Sequence, residues 1–79
     1  MQQPSVRLND DFSMQKWVYE LEAYKRRLGR NFDRETNHMR KVWYFNRYNE
    51  VENLIQELCD VHGLDRKTKP YKLPLEALK

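Results

Sequence analysis

The sequence predicts an all-α fold, a helical hairpin followed by a basic, Pro-containing C-terminal tail. Three observations predict it. Two Gly and three Pro in 79 residues leave long stretches rich in Arg, Lys, Glu and Leu, a composition that favours helix. Apolar residues recur at helical spacing over two separate segments. The second segment, 33–62, runs DRETNHMRKVWYFNRYNEVENLIQELCDVH without a single Pro or Gly. A chain this short is one domain with a small core, close to break-even in stability unless something ties it together.

Residues 1–12 read as an irregular lead-in, in which Val6 and Leu8 could pack as a short extended piece. Asp10, Asp11 and Ser13 are good N-cap residues, and with Ser13 as cap, Phe12 and Trp17 fall at hydrophobic-staple positions. Met14, Trp17, Leu21, Tyr24 and Leu28 then form a continuous apolar stripe, with Val18 beside them, which predicts a first helix over 13–28. Lys25, Arg26 and Arg27 suit its C-terminus and Gly29 suits its end. Residues 30–32 form the link, and Asp33 caps the next helix. So short a link favours an antiparallel hairpin, and equally allows the sharper crossing of a helix-turn-helix.

The long segment reads as two halves. At about 100° per residue from Arg34, Met39, Val42 and Trp43 centre near 130°, whereas Val51, Leu54, Ile55, Leu58 and Val61 centre near 240°, with Tyr44 and Tyr48 beside the second group. The apolar stripe swings by about 110°, far beyond the drift of a straight helix. Either the helix breaks near 46–49, where Asn49 and Glu52 have capping-box spacing, and a three-helix arrangement results, or it runs through and presents two faces. Propensity favours the continuous or merely kinked helix. Gly63 ends it, closing a helical domain over 13–63. The tail, 64–79, contains Pro70 and Pro74 and cannot form a long helix. Leu64, Tyr71, Leu73, Leu75 and Leu78 are its anchors, and PLEALK suits one helical turn. The tail is expected to lie extended on its own chain or to dock on a partner.

The net charge of +3 hides a block pattern: −2 over 1–24, +6 over 25–47, −5 over 48–65 and +4 over 66–79. Segregation of this kind makes a positive and a negative pole rather than a uniformly basic surface. A single cysteine, Cys59, excludes a disulfide within one chain. With no signal peptide it suggests a reducing, cytoplasmic setting. No apolar run reaches the roughly 18–20 residues that cross a bilayer, so no membrane partner is expected. No phosphate loop, nucleophile motif or HExxH pattern occurs, and a domain this thin offers little room for a secluded cleft. The expectation is not an enzyme. Cys59 and His62, one turn apart near Asp60 and Asp65, supply too few ligands for a metal site, and no cofactor is implied.

Two functional readings follow. Tyr48, Val51, Leu54, Ile55 and Leu58, with an acidic border of Glu50, Glu52, Glu57 and Asp60, form a face the first helix does not cover. With Leu73 of the tail they are the candidate residues for docking another protein or a second copy. The competing reading makes this face intramolecular core. The alternative function is nucleic-acid binding through Arg30, Arg34, Asn37, Lys41 and Arg47. Arg34, Asn37, His38 and Lys41 lie opposite the Met39 face, as residues of a DNA-reading helix would. Phe32, Tyr44, Phe45 and Tyr48 interleave with basic residues and could stack unpaired bases. The acidic 48–65 block would repel a long duplex. The preferred expectation is a small non-catalytic adaptor or regulator, of the size and style of a viral or phage accessory protein.

Overall fold

The computed structural model describes the backbone of residues 3–79 and the side chains from Met14 onward. Two α-helices, α1 (Gln3–Arg34) and α2 (His38–His62), pack against each other as an antiparallel hairpin, and a single 3₁₀ turn (Leu75–Leu78) closes the tail. The all-α hairpin is as the sequence predicts. The end of the second helix at Gly63 is also as predicted, and the other three helix boundaries are not.

α1 begins well before Ser13, so most of the expected lead-in is helical; Pro4 falls in the first turn, where its missing N–H costs nothing. The proposed cap and staple roles of Asp10, Asp11, Phe12 and Ser13 concern side chains outside those described. At its other end α1 runs through Gly29 to Arg34. Gly29 is a packing residue, not a stop: a Cβ there would lie 3.1 Å from Cε2 of Tyr48, so its bare backbone makes room for that ring. The link moves accordingly to Glu35, Thr36 and Asn37. Asn37, not Asp33, caps α2: its side chain accepts from Arg40 N at 3.0 Å. Lys41 Nζ reaches back to donate to Phe32 O at 3.2 Å and lies 4.5 Å from the Phe32 ring centroid, tying α2 to the end of α1.

α2 is continuous through 46–49, as propensity favours, and Gly63 ends it in the left-handed conformation, with Gly63 N–H and Leu64 N–H both donating to Cys59 O. The apolar swing does not correspond to two packed faces. The side that meets α1 is one straight seam, Lys41, Phe45, Tyr48, Glu52, Ile55 and Cys59, at alternating spacings of four and three. Against it α1 sets Val18, Lys25, Leu28 and Phe32. Val18, Leu28, Val51, Ile55 and Cys59 form the core, and Phe32 and Phe45 pair near the hairpin turn with centroids 6.3 Å apart. Met39 and Trp43, expected to pack on the first helix, point outward instead.

Candidate functional site

The hairpin seam has two flanks, and their chemistry differs. One is filled by the tail. Leaving Gly63, the chain turns back and packs Leu64 onto the core. The Gln15 side chain pairs with both backbone groups of Asp65, accepting from N at 3.0 Å and donating to O at 2.9 Å. Asn49 does the same for Leu73, at 2.8 and 3.2 Å. Between these clasps lies a buried charge cluster. Glu52 receives a bidentate Arg66, at 2.8 Å for each oxygen, and also Lys25. Glu22 accepts from the backbone N–H groups of Lys67 and Thr68, at 2.9 and 2.8 Å, and from the Thr68 hydroxyl. Side-chain amides and carboxylates thus satisfy the backbone of an extended segment that has no strand to pair with.

Glu22 and Glu52 are each only 2% exposed. Burial alone would raise both carboxyls. For Glu52 the hydrogen bonds from Arg66 and Lys25 outweigh burial and hold the group down to about 2. For Glu22 the Thr68 hydroxyl, the two backbone N–H groups and the Arg66 charge have the same effect. Arg66 also donates to Gln56 Oε1 at 2.9 Å, while its Nε is buried without a partner. Tyr48 is wedged between Lys25, whose Nζ is 4.8 Å from its centroid, and Tyr71, edge-on at 6.4 Å. Burial first, then the neighbouring Tyr71, Glu52 and Asp33, pushes the Tyr48 phenol up.

The opposite flank is open. Met14, Trp17, Leu21, Leu54 and Leu58 line a groove of about 410 Å³ between the helices. On the outer side of α2, Met39 is 81% exposed, Trp43 51%, Leu54 44% and Val61 67%. Glu50 and Glu57 lie beside the lower half of this outer side, and Arg40 and Arg47 beside its upper half.

Of the residues expected to dock a partner, Val51 and Ile55 are buried in the core, Tyr48 packs against Tyr71 of the tail, and Leu73, in the tail, is held by Asn49. Only Leu54 and Leu58 border the open groove. The second-half face is therefore split: Val51 and Ile55 meet α1, while Leu54 and Val61 stay exposed, as do Met39 and Trp43 of the first half. The expected nucleic-acid residues do not share one helical face. Arg30 and Arg34 belong to α1, and Arg34 donates to Asn31 Oδ1 at 3.1 Å. Asn37 is engaged as a cap and Lys41 in the turn. Arg47 lies 5.3 Å from the Trp43 centroid and pairs with Glu50 at 3.6 Å.

The buried carboxylates were missed by sequence reasoning, although a signal existed: Glu22 and Glu52 sit within or beside apolar stripes, where an unpaired charge would be costly. Cys59 is a buried thiol, pushed up by burial first, while His62 is exposed. No described helix is long and apolar enough to cross a membrane.

Fold and surface together define a two-helix hairpin, strapped by its own tail on one flank and apolar on the other. Comparison with protein-family models, curated proteins and solved structures gives no match, so the functional reading rests on these residues.

Proposed function

We propose that this chain is a non-catalytic adaptor or regulator that works by docking a helix against the open apolar flank of its hairpin. The observation that supports the reading is the alignment of Met39, Trp43, Leu54 and Val61 along one outer side of α2, where Leu54 also lines the groove with Met14, Trp17 and Leu21. Apolar surface gathered in one place on so small a chain is what a docking face provides. The acidic border at Glu50 and Glu57 specifies the partner's chemistry: an amphipathic helix whose apolar stripe has a basic flank. Polar side chains on the strapped flank are already engaged with the tail, which leaves the open flank as the available one.

The test is capture from native extract with wild-type chain and with Leu54→Glu, both first checked for helicity by circular dichroism. A specific protein held by wild type and lost with Leu54→Glu supports the reading. Retention of every bound protein by a folded Leu54→Glu chain would overturn it. Salt-dependent binding to random DNA or RNA, unchanged by Leu54→Glu and lost with Arg30→Glu/Arg34→Glu, would favour nucleic-acid binding instead.

A further inference from the structure

We infer that the helix docked on the open flank is α2 of a second copy of this chain, lying antiparallel across a two-fold axis. The inference rests on the docking reading above and names its partner. That reading calls for an amphipathic helix with an apolar stripe and a basic border. The first half of α2 is such a helix: Met39 and Trp43 stand exposed on it, flanked by Arg40 and Arg47.

Geometry supports the pairing. Trp43 and Val61 are separated by five full helical turns, about 27 Å, so they point the same way, and Leu54 lies within about 20° of them. The side chains line up along one side of α2, with the Arg47–Glu50 pair between Trp43 and Leu54. Charge then selects the direction. On α2, Arg40, Lys41 and Arg47 all precede residue 48, and Glu50, Glu52, Glu57 and Asp60 all follow it. A parallel pair would set like charges side by side. An antiparallel pair sets Arg40 and Arg47 of each copy beside Glu50 and Glu57 of the other, and Trp43 of each near Leu54 of the other. A two-fold interface requires this self-complementarity. The tail does not obstruct it, because Asn49, Glu52 and Gln56 hold the tail on the far side of the helix.

Sedimentation equilibrium on the full chain tests the inference. Wild type is expected to approach twice its 9.8 kDa mass at low salt, with association weakening as salt rises. Leu54→Glu is expected to raise the dimer dissociation constant by about 30-fold or more, the effect of losing a central interface side chain. Two charge variants test whether these charges lie in the interface. Arg40→Glu/Arg47→Glu and Glu50→Lys/Glu57→Lys should each be monomeric alone and associate when mixed. A chain that stays monomeric at its highest soluble concentration overturns the inference. Should that monomer still lose a captured protein through Leu54→Glu, the docking reading survives and only the second copy is refuted. A dimer unaffected by Leu54→Glu and by the charge variants places the interface elsewhere and overturns the inference as well.

Discussion

Glu52→Gln tests the part of the fold on which the tail depends. The wild-type carboxylate carries a bidentate Arg66 and Lys25 in a cluster closed to solvent. Glutamine has the same shape but offers one acceptor oxygen and turns an NH₂ group toward donors. Lys25 and Arg66 would then be buried with Glu22 as the nearby anion. Breaking a buried pair by removing one partner costs about 3–5 kcal/mol. The depressed carboxyl gives a second route to the magnitude: from 4.5 to about 2, it corresponds to about 3 kcal/mol of preference for the charged form in the folded state. A chain of 79 residues is stable by only about 4–12 kcal/mol in total, so the variant should lose a large share of it or unfold. Urea unfolding at neutral pH, followed by circular dichroism, measures the loss. A decrease below about 1 kcal/mol would refute the reasoning, because it would mean the cations were never desolvated. A companion separates charge from packing. Lys25→Met/Glu52→Leu/Arg66→Met removes all three charges together and should restore most of the stability, since apolar replacement of a whole buried cluster is often neutral.

Further predictions follow from the same contacts. Both buried carboxyls are depressed in the folded state, so their contribution is complete above the ordinary carboxylate value near 4.5 and is lost as pH falls toward 2. The urea midpoint should therefore drop between about pH 5 and 2, and Glu52→Gln should flatten part of that slope. Gly29→Leu should destabilise by about 1–3 kcal/mol in thermal unfolding, because its side chain would meet the Tyr48 ring already at the limit for a Cβ. Asn49→Ala removes both hydrogen bonds to Leu73 and should speed amide exchange at Leu73 while leaving exchange at Asp65, held by Gln15, unchanged. Equal protection at Leu73 in variant and wild type would show that the clasp does not hold the tail.

Helix identity was legible in the sequence because composition and spacing report it directly, and Gly63 announced its own turn. The seam was not legible, and the reason lies in which residues make it. Lys41, Glu52 and Lys25 occupy positions that a search for apolar periodicity skips, and Gly29 reads as a terminator. With those four discounted, Met39, Val42 and Trp43 looked like the packing face of the first half of α2, and a swing of about 110° followed. Restoring them straightens the seam and moves Met39 and Trp43 to the outside.

Two of these residues, with Glu22, explain what the tail contributes. Lys25 and Glu52 face one another across the hairpin, and Lys25 answers only one side of the Glu52 carboxylate. Its other oxygen, and all of Glu22, are satisfied by Arg66, Lys67 and Thr68, which lie beyond Gly63. Without residues beyond Gly63, Glu22 would lose the Lys67 and Thr68 donors, and Glu52 would keep Lys25 but lose Arg66. The third element that completes the cluster comes from the Pro-containing segment that propensity reads as irregular. Having spent one flank of the hairpin on its own tail, the chain leaves the other apolar and open. A second helix is the natural complement to that flank, and antiparallel α2 carries the matching stripe and the opposite charge.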